Sequence, residues 1–421
     1  MQLTQTTEQA VPASKTRIGF NESTLALFGA AVLLIGAVLW ADRGSLTEKT
    51  DFSVTYLGAR MVHAGQGAKL YDLREQERMR TFLFEHPNPL IYEHPPFEAL
   101  LFAPLSSLPY RTAYLIWGLG NALIWLVLPY MVRPYAPAPK DALGYLALWF
   151  LFAPLGVALF QGQTSLLLLL LYTLSFIQFK RGSELRSGLY LGLGLFKFQF
   201  VIPFALIFLF RRKWKFLGGF LVSTGILGVL SFIAVGWHGM LSYIHLLLQI
   251  GNNPDNLSYG SAIDMPTVQG FVFAILGHNV GPWTVKLIVA ATSIFLVMFV
   301  AWNWRRADSQ SGNPSFDLMF AGAMAVSLLT GFHMFTHDFS PLLLAMFLVV
   351  AHLHTRGTIA MRTTLWTTLA LFWMPPIYFA FVSWHTLYLM CPVLLVFALS
   401  TLRLARRARR MQMEGEPVRA S

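Results

Sequence analysis

Residues 187–210 read SGLYLGLGLFKFQFVIPFALIFLF, an apolar run interrupted near its middle by Lys197. Basic residues stand at both ends, Arg186 before the run and Arg211 after it. Because Lys and Arg near the ends of membrane spans stay in the cytosol, a single crossing cannot have two basic ends. We therefore predict a hairpin of two half-length helices with Lys197 at its tip. The tip lies far from the basic ends, so we expect Lys197 to face a polar cavity rather than extend to water.

The composition of the whole chain is that of a membrane protein. Of its 421 residues, 55% are hydrophobic and only 12% are charged, whereas a soluble domain carries about 25% charged residues. Apolar runs of about 20 residues, enough to cross a bilayer, recur throughout and leave no room for a soluble domain. We predict an all-α, polytopic transmembrane helical bundle, a single integral membrane domain spanning residues 1–421. The single Cys391 excludes a disulfide framework and a thiolate metal site.

Basic clusters orient the predicted spans. Placing Lys180, Arg305 and the basic residues from Arg403 to Arg410 in the cytosol gives about ten crossings and puts both termini inside. The predicted crossings are 25–41, 111–132, 143–160, 164–179, 216–236, 284–302, 316–332, 339–352, 364–382 and 386–402. Residues 1–24 and 403–421 are then cytosolic tails, and no small-residue cleavage site follows the first span, so it is expected to be retained. The net charge of +11 comes from Lys and Arg residues in the predicted cytosolic segments. It is therefore an orientation signal, and no nucleic-acid partner is predicted.

The predicted outer face carries the polar residues. Residues 42–110 form the longest outer loop, and two apolar segments too short to cross, 97–108 and 268–276, are expected to lie along the outer interface. Shorter outer segments join the spans opposite this loop. Together they bring carboxylates, amides, imidazoles and a lysine to one face, where such groups can bind a sugar and an anionic headgroup and supply a base. The candidate residues are Asp51, Arg60, Tyr92, His94, Gln163, Lys197, His333, His337 and Asp338.

Some of these candidates also have a simpler or a different interpretation. A lone aspartate such as Asp51 is more often a helix cap, and since it precedes an amphipathic stretch it can be both. Gln163 can simply form hydrogen bonds with the backbone of a turn. His333 and His337 have the i, i+4 spacing of two metal ligands on a helix. However, the sequence is not His-Glu-x-x-His and no third ligand is evident, so no metal site is predicted.

The order of these segments resembles membrane glycosyltransferase family 87 of the GT-C superfamily, best known as polyprenol-phosphate-mannose-dependent mannosyltransferases. The resemblance runs from about Thr50 to Pro341. Two positions differ from the family pattern: His337 stands where a tyrosine is expected, and His94 where a tyrosine is common. The matching residues are Asp51-Phe52 with Tyr56 and Arg60, Gly67, Leu70-Tyr71-Asp72, Tyr92-x-x-Pro95-Pro96-Phe97, Ala103-Pro104-Leu105, Gly162-Gln163, Gly192-x-x-x-x-Lys197, Met265-Pro266, Gly270 and His333-x-x-x-His337-Asp338.

The resemblance implies an inverting transferase at the outer membrane face. Similar enzymes move a sugar from a polyprenyl-phosphate donor to a hydroxyl acceptor, here a glycolipid or glycan; mannose is the best-known sugar, and arabinose or another sugar stays open. Asp51 matches the position of the base. A lone aspartate rather than an Asp-x-Asp pair implies no obligatory metal, and no cofactor is expected. Lys197, His333 and Arg60 are candidates to hold the phosphate, and the remaining substrate-binding candidates are Tyr92, His94, Gln163, His337 and Asp338.

Two other functional classes stay open from the sequence. A secondary transporter would have a midplane site on broken helices, often with internal repeats. The halves of this chain show no repeat, and the Lys197 hairpin is the one feature that a transporter would share. The third interpretation is a flippase for a lipid-linked substrate, or a scaffold subunit of an envelope assembly.

Overall fold

The computed structural model describes residues 46–137, 142–252, 262–277, 279–305 and 313–414. All of them belong to one compact unit, Asp42–Ser421. Several predicted features lie outside the described part: the first crossing, the cytosolic tail beyond Glu414, the basic residue Arg306 and the outer residues from Asn253 to Asn256. Within it, every regular element is a helix, and this confirms the predicted all-α class.

Ten α-helices occur in the described residues between 46 and 252. Short 3-10 turns at Gly67–Lys69, Leu105–Ser107 and Leu193–Lys197 connect some of them. The helices are α1 (Asp51–His63), α2 (Leu73–Leu83), α3 (Pro96–Phe102), α4 (Tyr110–Val132), α5 (Ala142–Phe150), α6 (Ala153–Gln161), α7 (Ser165–Lys180), α8 (Glu184–Gly192), α9 (Phe198–Phe210) and α10 (Trp214–Asn252).

Seven helices follow in the described part of the second half. A 3-10 turn at Thr336–Phe339 precedes the fourth of them. The last continues beyond the predicted crossing, so the predicted basic tail begins as helix. These helices are α11 (Val268–Leu276), α12 (Pro282–Arg305), α13 (Pro314–Leu329), α14 (Leu342–Arg356), α15 (Ile359–Trp373), α16 (Pro375–Ser383) and α17 (Met390–Met413).

Helix length and hydropathy agree with a polytopic membrane protein. Among the residues that the structure describes, six helical segments are long and apolar enough to cross a membrane, or up to eight if each bent pair counts as one span. The bent pairs are α5 with α6 (46°) and α15 with α16 (66°), and each falls on one predicted crossing. The predictions at 164–179 and 316–332 correspond to the shorter apolar helices α7 and α13. The predicted number of crossings is compatible with these helices and stays a prediction.

The predicted hairpin is formed by α8 and α9. The segment Glu184–Phe210 has the length and hydropathy of a single span. However, Lys213 Nζ donates a hydrogen bond to Glu184 Oε1 at 2.6 Å, so the chain returns after α9 to the end where α8 began. The turn between them is the 3-10 segment Leu193–Lys197. Lys197 is therefore at the tip, as predicted.

Two ion-pair groups mark opposite ends of the bundle. At one end Asp317, in the first turn of α13, accepts hydrogen bonds from Lys180 Nζ at 2.7 Å and pairs with His352 Nε2 at 3.1 Å. At the other end the start of α7 meets the Lys197 tip and the turn Thr336–Phe339. We call these the Asp317 end and the Asp51 end.

Helix α10 bends where it reaches the Asp51 end. Gly236 has φ 64° and ψ −173°, which interrupts the helix; the part before it corresponds to the predicted crossing 216–236. At this bend Gly67 lies so close that a Cβ there would be 1.9 Å from the Ala234 carbonyl oxygen. Nearby, Phe97 N donates to Ser231 Oγ at 3.2 Å. The long loop therefore packs directly on α10.

Candidate active site

Asp51 is the first residue of α1, and the N-cap position is taken by Thr50. Its side chain does not cap the helix. Instead, Gln163 Nε2 donates to Asp51 Oδ2 at 2.6 Å, and the backbone N–H of Asp51 donates to Gln161 Oε1 at 3.2 Å. The start of a helix favours a negative charge. The Asp51 side chain is 22% exposed, so a carboxylate is fixed at the surface of a polar cluster.

A tight turn places Gln163 against Asp51. Gly162 ends α6 with φ +63°, a conformation that favours glycine. A Cβ at Gly162 would lie 2.6 Å from Phe52 Cβ, so this position also needs the absence of a side chain. Trp117 Nε1 holds the turn by donating to the Gly162 carbonyl at 2.8 Å. The Gly162-Gln163 turn thus positions the side chain of Gln163 to hold the Asp51 carboxylate.

Lys197 connects Gln163 to a second carboxylate. Its ammonium donates to Gln163 Oε1 at 3.1 Å and to Asp338 Oδ1 at 2.8 Å. Both Lys197 and Asp338 are buried. Because Gln163 accepts from Lys197 and donates to Asp51, its amide orientation is determined from both sides. A continuous polar chain therefore runs from Asp338 through Lys197 and Gln163 to Asp51.

Asp338 is fully engaged, and His337 lies between the two carboxylates. Asp338 Oδ1 also accepts from Ser165 Oγ at 3.1 Å, and Oδ2 accepts from Phe335 N at 3.1 Å. His337 Nε2 is 3.4 Å from Asp338 Oδ2, and Nδ1 is 4.0 Å from Asp51 Oδ2. We call Asp51, Gln163, Lys197, His337 and Asp338 the Asp51 network.

A second polar group borders this network. His94 Nδ1 is 2.9 Å from Glu98 Oε1, and His333 Nε2 is 3.9 Å from Glu93 Oε1. Burial raises the pKa of Glu93 to about 7, against the opposing influence of His94 and Lys197. Burial also lowers the pKa of His333 to about 4, although Asp338 opposes this shift. Near neutral pH His333 is therefore an uncharged imidazole.

The structure does not bring two predicted binding residues into the Asp51 network. Arg60 lies on the third turn of α1 and donates from Nη1 to the Ser106 carbonyl at 3.1 Å. Tyr92 is completely buried, and its hydroxyl donates to the Pro95 carbonyl at 3.1 Å. Both contacts hold the loop together. A role for either residue in substrate binding stays a prediction.

Sequence reasoning missed four residues in and around the site: Gln161, Ser165, Glu93 and Glu98. The first two flank the Gly162-Gln163 motif, and the other two lie within and just after the Tyr92-x-x-Pro95-Pro96 motif. Proximity to a motif was the available signal. The partners of these residues come from tertiary contacts that a single sequence does not show.

No group of three or more His, Cys, Asp or Glu side chains suited to a metal ion occurs in the part of the chain that the structure describes. At the Asp51 network His337 lies between the two carboxylates, and Lys197 pairs with Asp338. Independence from metal stays a prediction.

A comparison with protein families relates this geometry to a known group. The model of glycosyltransferase family 87 matches residues 92–331, more than half of the chain. Gln163, Lys197 and His94 fall inside the matched range, whereas Asp51, His337 and Asp338 lie outside it. No curated protein matches the chain.

Proposed function

Because the chain belongs to glycosyltransferase family 87 and is a membrane protein, we propose that it transfers a sugar from a polyprenyl-phosphate donor to a hydroxyl acceptor with inversion, using Asp51 as the base. Family membership makes the protein a glycosyltransferase, which sets the transporter and scaffold interpretations aside. In this proposal the acceptor is a glycolipid or glycan and the transferred sugar is mannose.

Asp51 and Asp338 differ in exposure and in hydrogen bonding, and this difference supports the choice of Asp51 as the base. Asp338 is 1% exposed and accepts hydrogen bonds or ion pairs at both oxygens. Asp51 is partly exposed, its Oδ2 is fixed by Gln163, and its Oδ1 has no hydrogen-bond partner among the described residues. A general base needs such an oxygen within reach of the proton that it takes.

The proposed step is a single displacement. The acceptor oxygen forms a bond to the anomeric carbon of the sugar while Asp51 Oδ1 takes the hydroxyl proton. The bond from the anomeric carbon to the phosphate oxygen breaks, and its electron pair leaves with the polyprenyl phosphate. Attack from the side opposite the phosphate inverts the anomeric centre.

Lys197 has a double function in this proposal. Its ion pair with Asp338 compensates its charge, and its bond to Gln163 orients the amide that holds Asp51. A lysine ammonium has three donors, so one remains for a phosphate oxygen. His333 contributes as a neutral donor, because burial lowers its pKa to about 4.

The basic residues at the Asp317 end support an outer location for the Asp51 end. Lys180, Lys213 and Arg211 lie there, and basic span ends stay in the cytosol. The proposed reaction therefore takes place at the outer membrane face, with the termini in the cytosol.

The test is turnover of defined donors by the purified protein in nanodiscs. A panel of polyprenyl-phosphate sugars is incubated with a glycolipid acceptor, and products are identified by mass spectrometry. We expect one donor to yield an extended acceptor and free polyprenyl phosphate with the native protein and with Asp72→Asn, but not with Asp51→Asn. Asp72 is a matched control because it caps α2 in the same loop, and asparagine caps equally well. Use of nucleotide sugars alone would contradict the proposal.

A further inference from the structure

A buried carboxylate beside the Asp51 network has no function in the proton transfer proposed above. Glu98 lies in the first turn of α3 and is 1% exposed; its Oε1 is 2.9 Å from His94 Nδ1. Its Oε2 is buried and has no hydrogen-bond partner within the described ranges. His94 is 25% exposed. In this pair, therefore, Glu98 is shielded from solvent and His94 is accessible to it.

Three tyrosines, Tyr71, Tyr92 and Tyr243, lie close enough to Glu98 to feel its charge. The ring of Tyr71 lies 4.9 Å from the ring of Tyr243 and 6.2 Å from that of Tyr92. The Tyr71 hydroxyl donates to the His94 carbonyl at 2.7 Å and so does not serve Glu98. A buried charge is costly unless it is paired. His94 is the ion-pair partner that the described residues give to Glu98.

The charges around His94 favour its protonated form. Burial by itself lowers the pKa of His94, but Glu98 raises it through both its charge and its hydrogen bond. Lys197 opposes this effect and Glu93 supports it, and the net pKa lies above the ordinary histidine value. His333 is the other imidazole close enough to interact.

The hydrogen bond at Nδ1 determines what the other ring nitrogen does. When Glu98 and His94 share one proton, either the ring is an imidazolium or the carboxyl is protonated and Nδ1 accepts. In both arrangements Nε2 carries a hydrogen. If the shared proton is lost, Nδ1 keeps a hydrogen to donate to the Glu98 carboxylate. Nε2 is then an unprotonated acceptor, and its lone pair repels an anion.

We propose that Glu98 is a positioning residue that holds His94 by Nδ1 so that Nε2–H donates to the phosphate of the lipid-linked donor. This inference rests on the proposed function. The Asp51 network holds the proton acceptor, and the Glu98–His94 pair sets the pH range over which a lipid phosphate is bound. The histidine that departs from the family pattern thus gives this chain its own phosphate contact.

The first test follows His94 itself and needs no donor. Ring-¹⁵N histidine is incorporated into the protein in nanodiscs, and the His94 signal, one of 11 histidines, is assigned by its loss in His94→Asn. In Glu98→Gln we expect His94 to lose its proton at a lower pH than in the native protein, because the negative charge and the hydrogen bond of Glu98 are removed. Glu77→Gln, a more exposed carboxylate in the same loop, should leave it unchanged. Equal titration in the native protein and Glu98→Gln overturns the positioning role.

The second test measures binding of polyprenyl phosphate, the phosphate-bearing product. Binding is compared at two pH values chosen from the first test, one below the titration of His94 in Glu98→Gln and one between the titrations of the variant and of the native protein. We expect Glu98→Gln to weaken binding roughly tenfold or more at the higher pH and much less at the lower pH, where His94 is protonated in both proteins. Equal weakening at both pH values would show a merely structural role and overturn the proposal. A failure of the proposed function appears differently, since the native protein would then bind no polyprenyl phosphate at either pH.

Discussion

Lys197 Nζ lies 2.8 Å from Asp338 Oδ1, although 141 positions separate the two residues in the chain. The contact joins the tip of the α8–α9 hairpin to the turn before α14. It also explains how a buried lysine is stabilised, since its charge is paired and its second hydrogen bond goes to Gln163. The ion pair therefore holds the frame on which Asp51 is placed.

Removing either member of this pair should destabilise the protein strongly. Breaking a buried ion pair leaves an uncompensated charge and costs about 3–5 kcal/mol. We expect Lys197→Met and Asp338→Asn to lower the unfolding midpoint in detergent, and the double variant to be closer to the native protein than the sum of the two changes. Lys215→Met, at an exposed position, is the control. Additive effects would show that the pair is not coupled.

Gln163→Ala should separate positioning from binding. The substitution removes the 2.6 Å hydrogen bond to Asp51 Oδ2 and leaves the carboxylate able to rotate. Since a small misplacement of a reacting group can cost about 10²-fold in rate, kcat should fall by that order while the donor KM changes little. Gln66→Ala, exposed in the same outer loop, should behave as the native protein. A rise in KM at unchanged kcat would assign Gln163 to substrate binding instead.

The sequence predicted the helices and the hairpin well because their signals are local. The length of the apolar runs gives the spans, and the basic residues at both ends of residues 187–210 exclude a single crossing. The Glu184–Lys213 contact confirms this argument. Membership of family 87 was likewise predicted from ordered motifs and is now shown.

The partners within the site were not predictable in the same way. Arg60 and Asp51 share a helix, but nine residues of helix carry Arg60 about 13 Å along the axis, where it contacts Ser106. Glu98 was missed because its importance depends on burial and on its contact with His94. Such facts follow from tertiary packing, which spacing alone does not determine.

The titration of Glu93 should make stability depend on pH. Its pKa is raised from 4.5 to about 7, so the folded protein binds this proton more tightly than the unfolded chain. The stabilisation is complete below about pH 4.5 and is lost as the pH rises through about 7. Glu93→Gln cannot titrate, so between these values its unfolding free energy should fall less than that of the native protein.

Unfolding in detergent at a series of pH values measures this difference. Glu77→Gln serves as the control because its carboxylate is 57% exposed. Native and Glu93→Gln curves that stay parallel from about pH 4.5 to about pH 8 would show that Glu93 has an ordinary pKa.

Cysteine labelling should show which side of the membrane carries the Asp51 end. In a Cys391→Ser background, Gln66→Cys should react with an impermeant thiol reagent added to intact cells, because Gln66 is exposed in the predicted outer loop. Arg181→Cys, exposed at the Asp317 end, should react only after permeabilisation. Labelling of residue 181 from outside would reverse the proposed orientation.

Asp51→Asn tests the central proposal most directly. Asparagine keeps the size of the side chain and one accepting oxygen but cannot take the acceptor proton. Product formation and donor binding are measured in nanodiscs for the native protein, Asp51→Asn and the Asp72→Asn control, with folding checked by size-exclusion chromatography. We predict that turnover by Asp51→Asn falls by about 10²–10⁴-fold, while donor binding is unchanged or tighter because a negative charge near the phosphate is removed. Turnover at the native rate by a folded Asp51→Asn variant would contradict the assignment of Asp51 as the base.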